Sequence, residues 1–277
     1  AHYQELASNR SAAMYAVMWN STYNSYFDYN LTSGSQNVYT LADPDETSTE
    51  ASGAPPGYQV AFSAAQYFPF WMGAAPTHIK DNPLAVRLAY ERVARLLAQK
   101  AGAIPATNLV SGEQWDQPNV WPPLMYALIA GLLNTPPTFG DQDPNYVATQ
   151  QLAFDLAQRY LDSTFCTWRA SGGATPGMER IEGAEANGIM FEKYADNSTS
   201  GAGLGGEYQV VEGFGWTNGV LIWVVDTFGQ QLRMPDCGNL TALDLAGGSS
   251  ASRRRKAKRS AMELHPRDAM FVKKWGI

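Results

Sequence analysis

Residues 114–133 read Gln-Trp-Asp-Gln-Pro-Asn-Val-Trp-Pro-Pro-Leu-Met-Tyr-Ala-Leu-Ile-Ala-Gly-Leu-Leu. Pro122 and Pro123 suit a first helical turn, where a missing amide hydrogen would have no partner, and Leu124–Leu133 then continues as an almost wholly apolar helix. Such a helix must be covered on several sides. It therefore predicts a protein built from packed helices.

The flanking sequence agrees. From Leu84 to Lys100, Val86, Ala89, Tyr90, Val93, Leu96 and Leu97 recur at spacings of three and four, with Arg87, Glu91 and Arg95 on the other side, and Gly102 closes the segment. Further helices are predicted over Gln4–Trp19, with Met14, Val17 and Met18 on one face, over Tyr146–Thr164, and over Asn218–Leu232 before Pro235. Tyr23, Tyr26, Phe27 and Tyr29 are interrupted by polar residues and read as irregular structure. Residues 43–58 have the Asp, Ser, Thr, Pro and Gly content of a solvent-facing insertion, and Tyr67–Met72 returns to buried character. With no clear period-two alternation, the fold class is all-α.

The net charge of −6 argues against a chain made mainly to bind nucleic acid. Arg253–Ile277 carries nine basic and two acidic residues, which leaves the remainder at −13. Residues 1–246 are expected to form the folded part, and 247–277 a Gly/Ser-rich, then basic, flexible tail. The longest apolar runs are too short for a membrane span. Cys166 and Cys237 are the only cysteines, too few for a cysteine-rich metal site, and their pairing is left open. Asn-x-Ser/Thr triplets at Asn20, Asn30, Asn197 and Asn239 point to an extracellular or secretory location. Because the chain begins with Ala1, it is expected to be a fragment or a processed product.

Two segments concentrate chemistry. One is Gln114–Pro123; the other runs from Gly205-Gly206-Glu207-Tyr208 to Gly213-Phe214-Gly215-Trp216-Thr217-Asn218-Gly219. Indole faces can cover the C–H surface of a sugar, while Asp116, Asn119, Glu207 and Asn218 can exchange hydrogen bonds with its hydroxyls. The alternative is that the tryptophans are core residues and the polar groups cap helices. Between the segments, Glu192-Lys193-Tyr194 precedes a glycine-rich stretch. Glu192 could activate water, as glycosidic hydrolysis by inversion requires, or it could pair with a surface cation. The glycines lack the Gly-Lys-Ser/Thr ending of a phosphate cradle.

On the Gln-Trp-Asp-x-Pro-Asn-x-Trp-x-Pro stretch, the Gly-Gly-Glu-Tyr stretch and Gly-Phe-Gly-Trp-Thr-Asn-Gly, the chain resembles the C-terminal half of a trehalase of the inverting glycoside hydrolase type. The likeness extends more loosely through Phe27-Asp28-Tyr29, residues 102–105 and Glu192-Lys193-Tyr194. It implies the C-terminal part of an (α/α)6 toroid that hydrolyses trehalose to two glucose molecules without a cofactor or metal. It also implies that Glu192 is the catalytic base and that Gln114, Trp115, Asp116, Asn119, Trp121, Glu207, Phe214 and Trp216 contact sugar.

The chain departs from the family pattern in three places: Glu113 stands before Gln114 where the family commonly has glutamine, Leu204 interrupts the glycine run, and Val211 stands where glutamine is frequent. The family's general acid, an aspartate in a Gly-Trp-Asp segment of the N-terminal half, has no counterpart here. That half is the expected partner, in cis or as a second chain. Another helical-toroid glycosidase, a non-catalytic carbohydrate-binding module and a structural or partner-binding role are the competing readings.

Overall fold

The computed structural model describes residues 2–43 and 53–243. The expected basic tail and most of the 43–58 insertion lie outside them.

The chain opens with α1 (His2–Met18). No side chain of this helix is fully buried, and Val17, expected on its inner face, is 41% exposed. Met18, expected on the same face, packs against the core together with Tyr15, whose hydroxyl lies 3.1 Å from His78 Nε2.

The aromatic segment that follows is more ordered than its sequence suggests. β1 (Trp19–Asn20) pairs antiparallel with β2 (Ser25–Tyr26), and β3 (Tyr29–Asn30) with β4 (Ser35–Gln36). Each turn starts at an asparagine whose Oδ1 accepts two backbone amides: those of Thr22 and Tyr23 at Asn20, and those of Thr32 and Ser33 at Asn30. This is the side-chain mimicry that lets Asn start tight turns. Strands of two residues cannot display a period-two pattern, which is why the hairpins are silent in the sequence. β5 (Tyr39–Leu41) then pairs with β6 (Tyr58–Val60), closing the ends of the polar insertion.

Ser63 and Gln66 form a reciprocal capping box on a short 3-10 turn that leads into α2 (Phe68–Trp71). After α3 (Thr77–Lys80), the helix predicted over Leu84–Lys100 is interrupted. It forms α4 (Pro83–Ala89) and α5 (Glu91–Gln99), with Tyr90 at φ −88° and ψ 4° between them. The Tyr90 ring is fully buried against Tyr67 and Phe70. Beyond the break Arg92 turns inward and donates to the carbonyls of Ala61 and Val60 at 2.7 and 2.8 Å. Periodicity alone could not reveal a buried arginine with backbone partners.

After β7 (Asn119–Val120), α6 (Pro122–Leu133) begins at the paired prolines and contacts α2 and two helices that follow it, α7 (Pro144–Ala170) and, beyond β8 (Tyr194–Ala195), α8 (Gly215–Phe228). That arrangement covers the apolar helix. α7 runs six residues past the expected Thr164, and within it the hydroxyls of Thr164 and Thr167 donate to the carbonyls of Tyr160 and Ser163 one turn back. It packs against α4, α6 and α8. Residues 233–243 lie alongside α7 in the same direction: Arg233 exchanges two hydrogen bonds with Gln158, Cys237 forms a disulfide with Cys166, and the Leu243 amide donates to Ala170. The fold is predominantly helical with extensive helix–helix packing, consistent with an all-α toroid-like arrangement. Among the described residues no helix is long and apolar enough to cross a membrane, and no group of three His, Cys, Asp or Glu residues is placed to hold a metal ion.

Candidate active site

A two-residue ladder brings the two chemical segments together. β7 pairs antiparallel with β8, so Val120 faces Tyr194 and Asn119 faces Ala195. The Gln114–Trp121 loop therefore lies beside Glu192 and Lys193. The glycine-rich segment is stitched to both: Ala195 donates to Gly201, Gly203 to Lys193, and Gly206 to Gly112, all through the backbone. Further on, the amide of Glu192 donates to Val211 and that of Gly213 to Met190.

Glycine is required where these strands meet. A Cβ at position 203 would stand 2.6 Å from Lys193 Cγ and 2.7 Å from Asn119 Oδ1. Gly206 has φ +96°, and a Cβ there would meet Gln114 Cβ at 2.6 Å.

Glu192 is 2% exposed. Its Oε1 accepts a 3.0 Å hydrogen bond from the Tyr208 hydroxyl, and its backbone carbonyl accepts from Trp216 Nε1 at 2.9 Å. Its Oε2 is buried and has no hydrogen-bond partner among the described residues. A buried carboxylate oxygen of that kind demands a donor. Lys193 is fully buried beside it and donates to the Leu204 and Gly205 carbonyls at 3.4 and 3.0 Å. Burial pulls its ammonium down to about 8, against the opposing pull of the Glu192 charge. The hydrogen bond to Glu192 pushes the Tyr208 phenol up from its ordinary value, with burial and the Glu192 and Glu207 charges adding to the effect.

The aromatic residues form one connected array. Trp115 stacks on Trp121 with centroids 3.8 Å apart and planes 7° from parallel; Trp121 meets Trp216 edge-on at 5.5 Å, and Trp216 meets Phe214 at 4.4 Å. Trp121 is 1% exposed, with its indole N–H on the Gln114 carbonyl. Trp115, lying on top of it, is 45% exposed. Trp115 is thus an indole held flat by a buried ring and half open to solvent.

The polar residues of the loop divide in two. Asn119 is buried, accepts from the Leu204 amide at 2.8 Å, and donates to the Asp116 and Glu113 carbonyls. Asp116 accepts from the hydroxyls of Thr107, at 2.7 Å, and Ser111. Both hold the loop in shape. Gln114 has a buried Oε1 without a partner among the described residues, whereas Glu207 is exposed. Asn218, also exposed, is bonded to the Phe214 carbonyl. The sequence marks Tyr208 and Lys193 only by their place next to Glu207 and Glu192, since the Tyr208–Glu192 contact spans 16 residues and those of Lys193 span 11 and 12.

A helical scaffold whose loops set a buried carboxylate beside a half-open indole platform has the layout of a carbohydrate-processing protein. A family model for trehalase matches residues 1–229. The chain is 30% identical over 231 residues to trehalase of Oryctolagus cuniculus, covering 83% of this chain and 31% of that protein. It is 28% identical over 236 residues to trehalase of Apis mellifera (85% and 30%), and 28% identical over 238 residues to trehalase of Dictyostelium discoideum (85% and 33%). The chain belongs to the trehalase family, a family of glycoside hydrolases. It spans about a third of the length of the curated relatives it matches.

Proposed function

We propose that the complete protein hydrolyses the α,α-1,1 bond of trehalose with inversion, and that Glu192 is the general base. Glu192 takes a proton from a water molecule whose oxygen attacks the anomeric carbon. The bond from that carbon to the bridging oxygen breaks, and a carboxylic acid outside the described residues protonates the leaving oxygen. Inversion at the attacked carbon releases one glucose as the β-anomer and the other as the α-anomer. Two carboxyl groups roughly 6.5–9.5 Å apart leave room for the water. Support comes above all from Glu192 Oε2, a buried acceptor in need of a donor.

In this reading Trp115, Phe214 and Trp216 cover apolar faces of the substrate, with Trp121 supporting Trp115. Gln114 and Glu207 exchange hydrogen bonds with hydroxyls. Asp116 and Asn119 act one step back, by holding the loop that carries Trp115. The reaction takes no cofactor, and residues 1–277 alone, without the segment that brings the acid, should turn over little trehalose. The Cys166–Cys237 disulfide, together with the Asn-x-Ser/Thr triplets, supports an oxidising, extracellular or secretory location.

The test is glucose release by the full-length protein. Glu192→Gln should lower kcat by about 100-fold or more, the range in which a positioned base contributes. Activity within tenfold of the parent would end the assignment.

A further inference from the structure

We infer that Tyr208 is a positioning residue: its phenol fixes the orientation of the Glu192 carboxylate, leaving Oε2 as the oxygen that receives the proton. The inference rests on the reading of Glu192 as the base.

The geometry is asymmetric. Oε1 is held by the Tyr208 hydroxyl at 3.0 Å, while Oε2 is buried and has no partner among the described residues. A carboxylate with one oxygen tethered and the other unoccupied has one orientation in which to meet water. The Glu192 backbone is fixed as well, its amide on the Val211 carbonyl and its carbonyl on the Trp216 indole, so rotation of the side chain is the freedom that remains. The phenol removes that freedom.

The contact with Glu192 raises the phenol's own titration, so Tyr208 keeps its proton and continues to donate. The groups that face Glu192 are Tyr208 from the glycine-rich segment and Lys193 from the adjoining position; Glu207 bears on Tyr208, and Trp216 brings no charge. Tyr208 is 46% exposed, so its ring can lose the hydroxyl without opening the core.

The experiment uses full-length Tyr208→Phe with trehalose as substrate, Tyr208→Leu as a second variant, and Glu192→Ala assayed with and without azide. Expected for both Tyr208 variants is a fall in kcat of about tenfold with KM within about twofold. Their melting temperatures should stay close to the parent's. A kcat within about twofold of the parent overturns the role of Tyr208, even if Glu192→Ala is inactive and azide restores turnover. That pattern would leave Glu192 as the base. Substantial turnover by Glu192→Ala without azide removes the base itself, and this inference with it.

Discussion

The ammonium of Lys193 lies 5.4 Å from the ring centroid of Trp121 and donates a 3.0 Å hydrogen bond to the carbonyl of Gly205. One buried cation thus joins the indole stack to the glycine-rich segment. Burial lowers its titration from 10.5 to about 8 in the folded chain. Between about pH 8 and 10.5 the unfolded chain therefore holds more protons than the folded one, so folding stability rises with pH through this window, by at most about 1.4 kcal/mol per pH unit. Below pH 8 both states are charged and the burial penalty is constant. Urea midpoints measured from pH 8 to 9.5 should climb for the parent relative to Lys193→Met, which has nothing to titrate; parallel profiles would refute this.

Gly203→Ala should destabilise the site region. The added methyl meets Lys193 Cγ and Asn119 Oδ1, the atoms that hold the ladder and the glycine-rich segment together. A cost of about 1–3 kcal/mol is expected from overpacking of this kind. Chemical denaturation reads it directly. Gly213→Ala is not an equivalent control: its Cβ would meet nothing, but its φ of +65° is itself unfavourable for alanine.

α6 was legible because two prolines and nine apolar residues speak the same local language, and the helix begins where they say. The Gln114–Trp121 and Glu192 segments stand out in the sequence by residue type, and the β7–β8 ladder sets them side by side. What could not be read was anything decided by contact across the chain. The break at Tyr90 comes from packing against Tyr67 and Phe70, which no periodicity records. Asn119 has the composition of a sugar ligand, yet its hydrogen bonds go to backbone groups of Leu204, Asp116 and Glu113. Tyr208 became part of the site only when the loop folded back on Glu192.

Removing the Cys166–Cys237 link, as the double serine variant, should lower stability substantially. Its partners are 71 residues apart, and closing a loop of that size in the unfolded chain corresponds to about 4 kcal/mol in the chain-entropy account. Denaturant midpoints of parent and variant provide the comparison. A change below about 1 kcal/mol would refute this expectation.

Among the hairpin asparagines, Asn30 should carry more glycan than Asn20 when the protein is made in a secreting eukaryotic host. Asn20 Nδ2 donates to Gln36 Oε1 at 2.8 Å in a half-buried setting. The Asn30 turn projects into solvent, with Leu31 90% exposed. Peptide mapping by mass, before and after glycan removal, gives the occupancy at each position; equal occupancy would contradict the expectation.

The bond between Cys166 and Cys237 encloses every residue that surrounds Glu192 from the glycine-rich side. A protease that clips the exposed stretch around Leu204 would therefore leave both fragments covalently joined. Such nicked molecules would run as one band in electrophoresis until a reductant is added, so a break in the glycine-rich segment would pass unnoticed in an ordinary non-reducing gel.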